Sequence, residues 1–191
     1  MALILASSSR YRRAQLERMQ LKFRWVAPDL DESAIEGENG LEMALRLALA
    51  KAQVVSKLNP LDMVIGCDQT MVLGAEIHGK PNNSERAFEM LRCFSGQRAT
   101  FHSALALVHA GELLGSTSVP THVQFRVLNE STIGHYLARE PALDCAGGFK
   151  SEALGLALVQ SIESTDPSAL IGLPLIALLD LLRAHGIDPL G

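Results

Sequence analysis

Asp62-Met63-Val64-Ile65-Gly66-Cys67-Asp68-Gln69 is the stretch on which the reading of this chain turns. An apolar run ends in a small residue and then an acid. In open α/β proteins ligands bind in the crevice outside the carboxyl ends of strands. An aspartate there can hold a metal or deprotonate a water, and its strand neighbours keep the backbone still. Capping a turn or a following helix is the plainer use of such an acid. This stretch alone does not choose between them.

Working outward, residues 70–73 read as more strand, Gly74-Ala75-Glu76 as a hairpin turn, and residues 76–78 as the returning strand. Gly79-Lys80-Pro81 follows. Pro81 fixes its own φ and drives Lys80 into an extended conformation, from which its ammonium can be aimed at a phosphate. Asn82 and Glu85 resemble a capping box for a helix that presents Ala87, Phe88 and Leu91. Upstream, Leu41, Leu45, Ala48, Ala52 and Val55 recur at helical spacing until Pro60 closes the segment. Lys51 stands one position off that stripe, placed either to reach into a cleft or to sit in water.

Residues 3–5 read as a short strand that runs into Ser7-Ser8-Ser9 and a helix carrying Leu16 and Met19. Free N–H groups and hydroxyls at a helix start, with Arg10, Arg12 and Arg13 beside them, make a possible anion site. The spacing is not that of a P-loop. A second strand over 23–27 leads into the acidic loop Pro28-Asp29-Leu30-Asp31-Glu32-Ser33. Residues 103–110, 113–119 and 121–127 read as three successive strands, 131–139 as a helix, and 154–162 as a strand interrupted by Gly155. A last helix starts near Pro174 and stops at His185-Gly186. Three strands in sequence are not a βαβ repeat, so the fold class is mixed α/β, a partly antiparallel sheet flanked by helices. No linker, repeat or low-complexity tract divides the chain, and residues 1–191 read as one domain.

Composition excludes several functions. The 191 residues carry a formal net charge of -4 without a Lys/Arg block, which disfavours a grip on nucleic acid polymers. Cys67, Cys93 and Cys145 stand far apart and form no CxxC pair. That speaks for a reducing compartment, against a disulfide scaffold or zinc site, and for small buried hydrophobes. Six histidines show no ligand spacing; His102, in a polar spot before a strand, is the one to watch. The apolar opening is too short for a secretory signal, and no stretch reaches the ~20 residues that span a bilayer. The cytosol is the expected location.

Taken together, Leu5-Ala6-Ser7-Ser8-Ser9, Arg12-Arg13, Asp31-Glu32, Lys51-Ala52, Gly66-Cys67-Asp68-Gln69, Gly79-Lys80-Pro81, the loop Cys145-Ala146-Gly147-Gly148-Phe149-Lys150-Ser151-Glu152 and Gly172-Leu173-Pro174 resemble the ordered motif set of the Maf family of nucleoside triphosphate pyrophosphatases. The resemblance runs over essentially the whole chain. It implies two lobes around a deep cleft, a homodimer, and a divalent cation, Mg2+ or Mn2+. It also implies cleavage between the α and β phosphates of a free nucleoside triphosphate. The family's general base falls on Asp68, and its other site positions on Ser8, Arg12 or Arg13, Glu32, Lys51 and Lys80. A second assignment gives Asp68 and Glu32 jointly to the metal, with a bound hydroxide as nucleophile; both stay open.

Tyr11, Gln69 and Glu152 resemble the specificity triplet of the branch that hydrolyses 7-methyl-GTP, although Arg10 stands where a proline is commoner. In the dTTP- and UTP-hydrolysing branch a threonine follows the catalytic aspartate and a glutamine occupies the late loop. A carboxylate at 152 can accept from N1–H and the 2-amino group of guanine while opposing the charge of an N7-methylated ring. Tyr11 can stack on a cationic base. Three rival readings remain: another nucleotide as substrate, a nucleotide-binding regulator of septum formation without turnover, and a cap-binding module, which the missing basic surface disfavours.

Overall fold

The computed structural model describes residues 1–191. Seven strands form one sheet: β1 (Leu3–Ala6), β2 (Phe23–Val26), β3 (Met63–Leu73), β4 (Glu76–His78), β5 (Arg98–His109), β6 (Glu112–Phe125) and β7 (Val159–Ser164). Helices α1 (Arg10–Glu17), α2 (Gly40–Leu58), α3 (Ser84–Phe94), α4 (Glu130–Arg139) and α5 (Leu175–Arg183) flank it. The strand order is β2-β1-β3-β5-β6-β7, with β4 also on β3. β1 runs parallel to β2 and β3, and every other pairing is antiparallel. The sheet is mixed and partly antiparallel, as expected.

β3 organises the molecule through its two edges. β5 covers one edge from Met63 to Val72. The other edge is shared, with β1 pairing along Met63 to Gly66 and β4 along Met71 to Leu73. Between them residues 67–70 have no neighbouring strand, a gap of about 13 Å at ~3.3 Å per residue. The chain leaving β1 enters Ser7-Ser8-Ser9 at one lip, and the chain leaving β4 enters Gly79-Lys80 at the other. Asp68 therefore does not end its strand, as the sequence suggested. β3 continues because Thr70, Met71 and Val72 keep their antiparallel partners on β5. What ends at this level is β1, so Asp68 still lies just past the carboxyl end of a parallel strand, where ligand crevices open.

Successive side chains of β3 face opposite sides of the sheet. The face of Gly66 and Asp68 receives α2, whose Ala44, Leu47, Ala48, Ala52 and Val55 are buried. The approach is close: a Cβ on Gly66 would lie 2.0 Å from the Ala48 carbonyl oxygen. On the other face Met63, Ile65 and Cys67 pack with Leu16, Leu178 and Leu182. Further along that face Met71 joins Leu91, Phe94, Phe125 and Phe149 in a separate cluster. Gln69 lies between these two lobes of core.

Four local readings are corrected. The cap of α3 is Asn83, whose side chain accepts from Arg86 N at 2.8 Å, while Asn82 takes φ 63°, a region that asparagine tolerates. The strands expected over 113–119 and 121–127 are one strand, β6. Ser164 Oγ donates to the Pro120 carbonyl, so the backbone polar side of Pro120 faces the β7 edge, where pairing begins only at Thr121. The missing N–H therefore breaks no ladder bond. The segment from 154 begins as a 3-10 turn (Leu154–Leu158), in which Gly155 lies against the Lys150 carbonyl too closely for a Cβ, and β7 starts at Val159. Cys93 is exposed rather than buried.

Candidate active site

α2 brings a lysine to the aspartate of β3. Lys51 Nζ donates to Asp68 Oδ1 at 2.6 Å and to Glu32 Oε2 at 2.7 Å. The Lys51 side chain is 6% exposed, that of Asp68 9% and that of Glu32 53%. The apolar stripe misplaced Lys51, because the face α2 buries is centred on Ala44, Leu47, Ala48 and Lys51, and Leu41 is exposed. Glu32 arrives on the acidic loop. Arg46, also on α2, holds that loop, donating through Nη2 to the Ser33 carbonyl at 3.1 Å and through both Nε and Nη2 to the Glu38 carboxylate. This clamp carries no signal in the sequence, since Glu38 and Arg46 read as ordinary surface charges.

Arg12 crosses from α1 to the core of the site. Its Nη1 donates to the Cys67 carbonyl at 2.9 Å and its Nε to the Gly172 carbonyl at 3.0 Å. Burial works against the guanidinium charge, but Cys67, Asp68 and Glu32 outweigh it and raise its pKa. Its hydrogen bond occupies the Cys67 carbonyl in the stretch of β3 where β1 has stopped. Arg13 takes a different place, with its guanidinium 4.2 Å over the Trp25 ring and its buried Nε without a partner.

The other end of the site is built around Gln69. Its Nε2 donates to Ser103 Oγ at 2.9 Å, Ala169 O at 3.1 Å and Leu170 O at 3.0 Å. The loop after β7 supplies those carbonyls and is itself anchored by Asp166. That carboxylate is 2% exposed and accepts from Ser168 N and Oγ and from Ile176 N at the start of α5. In the sequence Asp166-Pro167 reads only as a turn. Tyr11 Oη donates to Asp144 Oδ1 at 3.4 Å and receives Arg10 Nη2 at 2.7 Å. Arg10 and Lys150 lie 4.8 and 5.7 Å from the Tyr11 ring centroid, so a cationic base stacking there competes with charges already in place. Glu152 enters no ion pair with the chain.

One cavity of about 840 Å³ joins the two ends through the gap in the sheet. Its walls include Ser8, Tyr11, Arg12, Arg13, Glu32, Lys51, Asp68, Gln69, Lys80 and Glu152. Asp68 reaches it from the α2 face of the sheet and Gln69 from the other. Lys80 and Ser8 stand exposed on its walls. His102 does not line it, but His78 does, with its ring edge-on to Phe94 at 5.0 Å and its buried Nε2 without a hydrogen bond, 3.8 Å from Glu76 Oε2. Burial pushes the His78 pKa down. Burial and then Asp144 push the Cys145 thiol up to about 12, which removes it as a nucleophile.

Glu32 and Asp68 converge on one point, filled by the Lys51 ammonium. No group of three or more His, Cys, Asp or Glu side chains in the chain is placed to hold a metal ion. Two carboxylates completed by phosphate oxygens are the usual way Mg2+ is held at nucleotide sites, so these residues fit such an ion. No helix is long and apolar enough to cross a membrane.

The chain is 48% identical over 188 residues to the 7-methyl-GTP pyrophosphatase of Bordetella avium (strain 197N), covering 98% of this chain and 95% of that one. It is 50% identical over 190 residues to the 7-methyl-GTP pyrophosphatase of Alkalilimnicola ehrlichii, covering 99% and 96%. A solved HAM1 protein from Coxiella burnetii superposes with TM-score 0.48 at 18% identity, over 65% of this chain and 73% of that one, a likeness too partial to bear on the site. The family model described as Maf-like protein matches residues 2–185, and the chain belongs to the Maf family.

Proposed function

We propose that this chain hydrolyses 7-methyl-GTP to 7-methyl-GMP and pyrophosphate. The observation that carries the reading is the one cavity that joins the Lys51–Asp68–Glu32 cluster to an end bearing Gln69 and the free carboxylate of Glu152. Relatives that match nearly the full chain at 48% and 50% identity bear the name 7-methyl-GTP pyrophosphatase.

The charged end suits phosphoanhydride cleavage. Asp68 takes the proton of a water whose oxygen attacks the α phosphorus, and the α–β bridging oxygen leaves with pyrophosphate. Lys51 orients the Asp68 carboxylate through its 2.6 Å hydrogen bond. Lys80, on the opposite lip, and the hydroxyl of Ser8 bind the triphosphate, while Arg12 adds positive charge behind the gap. A divalent cation held by Glu32 and Asp68 would neutralise phosphate charge when bound.

At the other end Glu152 meets the Watson–Crick donors of guanine and the positive charge of its methylated ring. Uracil and thymine present an acceptor there, and a carboxylate facing an acceptor rejects strongly. The same reading makes the enzyme a cytosolic homodimer working as one catalytic unit over residues 1–191.

Pyrophosphate release from 7-methyl-GTP, GTP, dTTP, UTP and CTP, with Mg2+ and then Mn2+, tests the proposal. Clear preference for 7-methyl-GTP supports it. Preference for UTP or dTTP removes the base assignment, and no release from any of them removes the enzyme assignment.

A further inference from the structure

Ser103 lies on β5, opposite Gln69 on β3, and is 0% exposed. Nothing in the sequence marks it. Its hydroxyl has one proton, and the geometry commits it: Oγ stands 2.6 Å from the Ala169 carbonyl, which can only accept. The oxygen is thereby left as an acceptor, and at 2.9 Å it receives a proton from Gln69 Nε2. The Ala169 and Leu170 carbonyls also face Nε2, at 3.1 and 3.0 Å. Every neighbour of the amide nitrogen is an acceptor, so the carboxamide has one stable orientation. A flipped amide would set its oxygen against two carbonyls and a hydroxyl whose proton already goes to one of them. Gln69 Oε1 has no partner in the chain and is not closed off from solvent, and the residue lines the cavity.

We propose that Ser103 is a specificity-positioning residue: its committed hydroxyl, acting with the Ala169 and Leu170 carbonyls, fixes Gln69 as a pure hydrogen-bond acceptor toward the nucleotide. An unrestrained glutamine presents either a donor or an acceptor and discriminates little. A locked one selects a ligand that offers a donor and rejects one that offers only a carbonyl, which would then be left unpaired against an acceptor. With Glu152, whose carboxylate also only accepts, the base end carries no donor from either residue. That pattern fits the N1–H and 2-amino edge of guanine, with Glu152 accepting from N1–H and one proton of the 2-amino group and Gln69 Oε1 from the other. The inference rests on the cavity being the nucleotide site, and it deepens that reading by naming what holds its selectivity in place.

Two measurements on the full chain test it, one of them independent of turnover. In the 15N–1H spectrum the Gln69 side-chain amide, assigned by its loss in Q69E, is expected to exchange slowly with solvent in the wild type. It is expected to exchange faster in S103A and to stay protected in S103T, which keeps the hydroxyl. In competition assays S103A is expected to lower the ratio of kcat/KM for 7-methyl-GTP to that for UTP about three- to tenfold, the worth of one neutral hydrogen bond. S103T is expected to retain the wild-type ratio, and 7-methyl-ITP, which lacks the 2-amino group, to lose most of the S103A effect. Free exchange of the Gln69 amide in the wild type overturns the relay. An unchanged ratio in an S103A protein of wild-type Tm overturns its role in selectivity. A wild type inactive on every nucleotide overturns the reading of the site and the selectivity with it, while the amide still decides the relay.

Discussion

Lys51 Nζ and Asp68 Oδ1 stand 2.6 Å apart, both side chains shut away from solvent by α2 and β3. Removing one partner of such a pair leaves a buried charge without compensation, at a cost of about 3–5 kcal/mol, whereas removing both together costs far less. K51M is therefore expected to unfold at clearly lower urea concentration than the wild type, and the K51M/D68N double variant to recover much of that loss. Both are expected to be inactive. Equal instability of the single and double variants would refute the coupling.

D68N keeps the size of the side chain but removes its capacity to take a proton. Turnover is expected to fall about 10²–10⁴-fold, the usual worth of a positioned base. E32Q is expected instead to raise the Mg2+ concentration giving half-maximal rate, with a smaller loss at saturation. Near-normal turnover of D68N at saturating metal would exclude both roles of Asp68.

E152Q replaces an anion by an amide that can also donate. The preference for 7-methyl-GTP over unmethylated GTP is expected to fall, since only the methylated ring carries the charge that the carboxylate opposes. The comparison is of kcat/KM for the two nucleotides in both proteins. An unchanged preference sinks the assignment.

Gly66 lets α2 approach β3 closely enough for the lysine to reach. A Cβ there would meet backbone at 2.0 Å, the Ala48 carbonyl oxygen. G66A is expected to lower stability by about 1–3 kcal/mol or more, as overpacking does, and to reduce activity in whatever protein still folds, because Lys51 moves away with its helix. Thermal unfolding and pyrophosphate release check the two effects separately.

Stability also depends on acid. Burial lowers the pKa of His78, and burial with the nearby His122 lowers that of His102. The unfolded chain binds these protons at higher pH than the folded one, so this stability is complete above about pH 6.5 and is lost as the pH falls through the folded values. Tm is expected to be lower at pH 5.5 than at pH 7.5. H78L is expected to show a smaller drop than the wild type, and an identical drop would show that His78 does not contribute.

Much of the site was legible because it lies in local signals. Pro81 restrains Lys80, the serines follow a strand, and Asp68 closes an apolar run. The periodicity left Lys51 open between cleft and water for a physical reason. A stripe drawn through apolar residues treats a lysine as a boundary, yet here its stem packs in the buried face and its charge is met by two carboxylates. The network around Gln69 was not legible at all. It joins residues 69, 103 and 169, which come together only when β5 and the loop after β7 settle beside β3. The two strands expected over 113–127 are one because Pro120, between them, keeps its partner His102 on β5 and turns its missing N–H to the side where β7 has not begun.

The four residues of β3 left between β1 and β4 have one more consequence. On the proposed function, the doorway for the nucleotide is an interruption in a hydrogen-bonded ladder, so its width is set first by where two short strands stop. Residues that end those strands, Ser7 on one side and Gly79 on the other, thus act as the jambs. Substitutions that favour extended pairing at these positions would narrow the entrance one residue step at a time, leaving every charged group in place.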